Sequence, residues 1–242
     1  MKIQGHRGTR VLCPENTMEA FDSAYKLGAC GIELDVNKLN DGNIIVCHDA
    51  NLERMCGFDF DIFAHSTDEV RDISIGYEYG EKFINARVPY FEDVLKWICD
   101  KDFLLNTEIK SQPDDNGICD DVIRLLEKYN MKNKCSISSF NEGYLSHIKK
   151  NYPDYNVAWL LSNVGLGDIA ERARKKNYNA INPYHMIVTK ELVKKCHKYD
   201  IAVNAWTVNK EDDIIRMYEC GVDTIISDDV ENAMKVVASL QK

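Results

Sequence analysis

"GIELDVNKLNDGNIIVCHD", residues 31–49, is the stretch that decides how this chain folds. Its first six residues read as a strand in which Ile32, Leu34 and Val36 alternate with Glu33 and Asp35. Side chains two apart on a strand share a face, so the carboxylates point one way and the apolar residues the other. Asp41-Gly42 then separates this strand from a second β-rich run, "NIIVCHD" (43–49), and Asp-Gly between two such runs is a tight-hairpin signal. The second run is therefore expected to fold back antiparallel on the first, outside any regular strand series.

With that run set aside, a rhythm emerges. β-like runs occur at 2–6, 31–36, 103–110, 135–140, 156–161, 179–184, 201–208 and 223–228, and amphipathic stretches lie between them. Ile118, Val122, Leu125, Leu126 and Tyr129 share one helical face, and Ala233, Val236, Val237 and Leu240 repeat at helical spacing. "PENTME" opens the first helix, with Asn16 as the expected cap and Glu19 three residues on in a capping-box pattern. Eight strand-helix alternations in 242 residues are the arithmetic of a single α/β domain over 1–242, a (β/α)8 TIM barrel. A doubly wound sheet has the same alternation and stays open on strand count alone. Residues 50–87 break the rhythm before a helix begins near 91, and are expected to form an insertion after the strand-two hairpin that caps the C-terminal mouth.

Composition narrows the function classes. The net charge of −9 argues against nucleic acid and anionic membrane as general partners, so an anionic ligand needs a local cluster of cations or a metal. Nine scattered cysteines with no Cys-x-x-Cys pair read as reduced thiols. "MKIQGH" has no signal-peptide core, and no run of about 18 apolar residues predicts a transmembrane span. A cytoplasmic location is the expectation.

Active sites of this fold form at the C-terminal ends of the strands. Glu33 and Asp35 lie there on the second strand, and Asn106, Glu108 and Lys110 share a face of the third. Carboxylates aimed at one spot repel unless a metal, a cation or a shared proton joins them. Three carboxylates without Cys or His ligands suit Mg²⁺ or Ca²⁺ and suit zinc poorly. His6 and Arg7 end the first strand, in "QGHRGTR" (4–10), and His48 ends the hairpin strand. Two imidazoles at one mouth can act as general acid and base. Gly5 and Gly8 are expected to let the chain turn tightly and the substrate come close. Trp206 ends strand seven of the series as a pocket wall or a core residue, and His185 ends strand six as a pocket candidate. A divalent ion beside Arg7 and Lys110 makes a positive spot in an acidic protein, which is a site for a phosphate ester and, with two histidines, for phosphodiester cleavage.

"GHRG", "PENT", "GIELDV", "DGNIIVCHD", "EIK" and "AWTVN" together, from Gly5 to the closing "DTIISDD", resemble the glycerophosphodiester phosphodiesterases. The resemblance implies a TIM barrel with a small insertion after the "HD" strand. It places the catalytic pair on His6 and His48, the metal carboxylates on Glu33, Asp35 and Glu108, and the phosphate-contacting cations on Arg7 and Lys110. It implies that Glu15 holds a neighbouring histidine or arginine and that Trp206 walls the pocket. The implied reaction is metal-dependent hydrolysis of a glycerophosphodiester to sn-glycerol 3-phosphate and an alcohol. "NLERMCG" (51–57) departs from the family's usual sequence after the arginine, which bears on substrate preference. Two rivals stay open: a lysophospholipase D or cyclic-phosphate-forming phospholipase on the same barrel, and a barrel that binds a phosphodiester without turning it over.

Overall fold

A computed structural model describes residues 1–112, 117–163 and 167–241. Among the described residues nine strands run β1 (Lys2–His6), β2 (Gly31–Lys38), β3 (Ile44–Val46), β4 (Leu104–Ile109), β5 (Cys135–Ser139), β6 (Asn156–Leu161), β7 (Ala180–Pro183), β8 (Ala202–Ala205) and β9 (Thr224–Ser227). All but β3 are joined in parallel, and β1 pairs with both β2 and β9. The sheet closes on itself as an eight-stranded parallel barrel with no reversal of strand order, which rules out the doubly wound alternative. β3 lies antiparallel on β2 with Val36 opposite Val46, as Asp41-Gly42 predicts. Gly42 has φ 87° and donates its N–H to Leu39 O at 3.0 Å, a turn that a Cβ would strain.

Helices α1 (Met18–Lys26), α4 (Phe91–Ile98), α5 (Ile118–Lys128), α6 (Glu142–Asn151), α7 (Ile169–Lys175), α8 (Lys190–His197), α9 (Glu211–Cys220) and α10 (Val230–Leu240) follow the barrel strands. The main hydrophobic cluster gathers Ile32, Leu34 and Val36 of β2 with Val122 and Leu126 of α5 and Val236 of α10. Fully burying each such aliphatic side chain contributes about 1.5–3 kcal/mol. The alternation in β2 therefore sends its apolar residues outward to the helices and leaves Glu33 and Asp35 to the barrel interior, where both are buried.

The expected cap of α1 is corrected by one position. Thr17, not Asn16, is the N-cap, and its side chain accepts from Ala20 N. Asn16 sits at φ 57° with its amide turned to Asp35 instead. The reading of Gly5 and Gly8 also changes. A Cβ on Gly5 would lie 2.4 Å from Gly8 O, and one on Gly8 would lie 2.6 Å from Ala20, so both positions accommodate the chain's own β1–α1 turn. Gly8 also has φ 88°.

Residues 50–87 form α2 (Glu53–Cys56), α3 (Thr67–Asp72) and short 3₁₀ turns. They gather Leu52, Met55, Phe60, Ile62, Val70, Ile75 and Phe83 in a second hydrophobic cluster with Ile45 and Cys47 of the hairpin arm. A capping box between Ser66 and Glu69 starts α3. Asp41 at the hairpin tip accepts from Thr67 N at 3.0 Å, anchoring the segment to the hairpin.

Candidate active site

Barrel register brings the predicted carboxylates together. His6 lies beside Glu33, Glu33 beside Asn106, and Asp35 beside Glu108. Ligand oxygens of Glu33, Asp35 and Glu108 lie within 4.8 Å of one another, and all three residues are buried. Two cations face them. Arg7 Nε is 3.2 Å from Asp35 Oδ2, and Lys110 Nζ is 2.8 Å from Glu108 Oε1 and 3.6 Å from Asp35 Oδ1.

The cluster carries more negative charge than these cations balance. Burial and the charges of Asp35 and Glu108 hold the Glu33 carboxyl well above the usual carboxylate range. Burial and Asp35 also raise Glu108. Burial pushes Asp35 up too, but Arg7, Lys110, His48 and the Asn16 hydrogen bond outweigh it and hold Asp35 low. Asp35 Oδ1 is buried without a hydrogen-bond partner. Three converging carboxylates, two of them held above the usual carboxylate range and one with an orphaned oxygen, fit a hard divalent cation.

Each histidine is held by its own carboxylate. His6 Nδ1 is 2.7 Å from Asp228 Oδ1, and His6 Nε2 is 4.0 Å from Glu33 Oε2. His48 Nδ1 is 2.6 Å from Asp49 Oδ1. Asp228 is in turn fixed by Asn209, which donates to Oδ2 at 2.7 Å and accepts from Asp228 N at 2.9 Å. Burial would raise Asp228, but the His6 contact and Asn209 outweigh it and keep the carboxyl low. An ionised carboxylate only accepts, so the N–H of each neutral imidazole lies at Nδ1 and Nε2 is left as an acceptor.

Glu15, only 2% exposed, is ringed by three arginines. Arg7 Nη1 donates at 2.8 Å, Arg54 Nη2 at 2.7 Å, and Arg10 Nε lies 2.8 Å away. Of the alternatives the resemblance left for Glu15, the structure places the arginines in contact. Arg54 also reaches Asp49 Oδ2 at 2.6 Å, tying the inserted segment to the carboxylate that holds His48.

One solvent-open pocket takes in His6, Arg7, Glu33, His48, Glu108 and Trp206. Trp206 donates Nε1–H to Asn182 O at 2.7 Å and meets Phe140 edge to face at 5.6 Å. Lys110 borders an adjoining cavity that shares His48 and Glu108. His185 is not among the residues lining either one. It is 8% exposed, and Arg216 grips it at Nδ1 (2.9 Å) and at its carbonyl (3.0 Å).

Sequence reasoning missed Asp228, Asn16 and Arg54 as parts of this site. Asp228 had a signal, a carboxylate at the C-terminal end of the eighth run. Arg54 also had one, since it is the arginine of "NLERMCG". Asn16 stands in "PENT", one of the resembling stretches, but was given only a helix-capping role there.

A family model described as the glycerophosphoryl diester phosphodiesterase family matches residues 6–232. The glycerophosphodiester phosphodiesterase of Caldanaerobacter subterraneus subsp. tengcongensis is 36% identical, with 97% of each chain covered. The crystal structure of the glycerophosphodiester phosphodiesterase from Thermotoga maritima matches with a TM-score of 0.79 at 25% identity, over 97% of both chains. An Oleispira antarctica phosphodiesterase, solved in complex with the product sn-glycerol-3-phosphate, shares the fold with a TM-score of 0.86 at 22% identity, over 98% of this chain and 97% of that one. Matched along nearly its whole length, the chain belongs to the glycerophosphoryl diester phosphodiesterase family and is a phosphodiesterase.

Proposed function

We propose that this enzyme hydrolyses glycerophosphodiesters to sn-glycerol 3-phosphate and an alcohol, with a divalent cation, Mg²⁺ or Ca²⁺, held by Glu33, Asp35 and Glu108. The observation that carries the reading is the convergence of these three carboxylates on a cavity bordered by His6 and His48. The cation supplies Lewis acidity at the phosphoryl group. Arg7 and Lys110 neutralise charge that develops on the phosphoryl oxygens. His6 and His48, each fixed at Nδ1, work through Nε2: the one that enters neutral takes a proton from the attacking water, and the other, entering as the imidazolium, gives its Nε2 proton to the departing alkoxide. Glu15 aligns Arg7, and Trp206 with Phe140 packs against the glycerol carbons. The chain acts as one catalytic barrel over 1–242, and the 50–87 segment caps its mouth. Nine scattered cysteines with no Cys-x-x-Cys pair favour a cytoplasmic setting.

A lysophospholipase D reading has one observation in its favour. Val11 (58% exposed), Leu12 (44%), Phe140 (45%) and Met186 (64%) expose apolar surface on loops at the mouth. A phosphorus NMR time course separates the readings by product and substrate: glycerol 3-phosphate from a glycerophosphodiester, an acylated glycerol phosphate from a lysolipid, or an accumulating cyclic phosphate. In the same assay with cation present, His6→Ala and His48→Ala are each expected to lower kcat by about 10²–10⁴-fold. A rate near wild type in either variant overturns the acid-base assignment.

A further inference from the structure

Asp49 Oδ1 lies against His48 Nδ1 at 2.6 Å. Its other oxygen, Oδ2, accepts from Arg54 twice, from Nε at 2.9 Å and from Nη2 at 2.6 Å. The end of the same guanidinium lies on Glu15, with Nη1 donating to Oε2 at 3.0 Å and Nη2 to Oε1 at 2.7 Å. A planar fork held on two edges by two carboxylates is fixed in orientation as well as in place. Arg54 reaches this position from the inserted segment. Its neighbours Leu52 and Met55 are buried in the second hydrophobic cluster, which seats α2. Tyr79 of the same segment donates its hydroxyl to Arg10 O at 2.8 Å, a separate tie to the loop that follows β1.

We propose that Arg54 is a positioning residue for the reaction: anchored on Glu15, it holds the Asp49 carboxylate that orients His48, so the inserted segment completes the acid-base machinery. The proposal rests on the phosphodiesterase reading and adds a residue to it. Arg54 borders neither the catalytic pocket nor the cavity beside it, so its effect on the reaction passes through Asp49 and His48. Among the described residues, the Asp49 carboxylate has no hydrogen-bond partners other than His48 and Arg54. Without Arg54, Oδ2 loses both its donors and only the imidazole itself holds the carboxylate. Glu15 is less exposed to the change, since Arg7 and Arg10 remain on it and no buried charge is stranded. The arrangement parallels the other histidine, where Asn209 holds the Asp228 carboxylate that meets His6.

Kinetics on glycerophosphocholine with Mg²⁺ present test the assignment. Arg54→Ala is expected to lower kcat about 10–100-fold with KM changed less than about threefold. Asp49→Ala is expected to lose a similar factor. The double variant is expected to fall no further than the weaker single one, because the two residues act in series. The exposed Arg54 site also admits a small ion, so millimolar guanidinium is expected to restore part of the rate of Arg54→Ala, against a sodium chloride control, and none of the rate of the double variant. A loss of folded protein would not respond in this way. Arg54→Lys keeps the charge without the fork, is expected to stay at least about tenfold down, and carries the test if the alanine variant folds poorly. A kcat near wild type in either Arg54 variant, losses that multiply in the double variant, or no response to guanidinium overturns the proposal and leaves the phosphodiesterase reading standing. A wild-type enzyme that leaves glycerophosphocholine intact overturns that reading and the proposal with it.

Discussion

At Glu33, burial and two neighbouring carboxylates act in the same direction, and the folded protein holds this carboxyl's proton more tightly than the unfolded chain does. The sign of the linkage follows. The stability associated with that proton is complete below the unfolded value of about 4.3 and is lost as pH rises through the folded one. Without a cation, Glu33→Gln is therefore expected to raise Tm by about 2–4 °C at pH 8, with a smaller gain at pH 5. Added Mg²⁺ or Ca²⁺ is expected to stabilise the wild type more than the variant. Thermal melts in EDTA check this, and a lower Tm for the variant at pH 8 counts against a strained carboxylate cluster. Glu33, Asp35 and Glu108 were legible because strand period two puts them on one face. Asn16 was not legible as their partner. Asn and Thr both cap helices well, so sequence alone cannot say which of Asn16 and Thr17 does so, and the Asp35 contact settles it.

Among the elements, the pairing of β1 with β9 has the largest functional consequence. It brings Asp228, just past the end of the last strand, to His6 at the end of the first, although 222 positions separate them in the chain. Eight strand runs announce a barrel, but they do not say which side chain meets which across the closing seam, so His6 was legible and its partner was not. Asp228→Asn keeps the shape but replaces one of two accepting oxygens with an NH2 donor, so it cannot accept from both His6 and Asn209 and no longer fixes the Nδ1–H tautomer. The variant is expected to lose about tenfold or more in kcat with little change in KM, and its pH-rate profile should shift. A parallel loss through KM alone would mark Asp228 as a substrate contact instead. The β2–β3 hairpin was readable from Asp41-Gly42, whereas the role of Arg54 in joining Glu15 to Asp49 depends on where α2 comes to rest.

On the scale of the molecule, an acidic chain concentrates Arg7, Lys110 and three buried carboxylates at one end of a closed barrel. The architecture and the reaction class were both legible, because strand-helix alternation and carboxylate spacing are periodic signals in the chain. The division of the mouth into two cavities was not, since it depends on where the 50–87 segment sets Ala50 and Phe63 against β2 and β4. The central claim, cation-dependent hydrolysis at Glu33, Asp35 and Glu108, is tested most directly by phosphorus NMR of glycerophosphocholine incubated with the enzyme in EDTA and then with excess Mg²⁺ or Ca²⁺. Glycerol 3-phosphate is predicted to form only after the cation is added, and equal formation in EDTA would contradict the account.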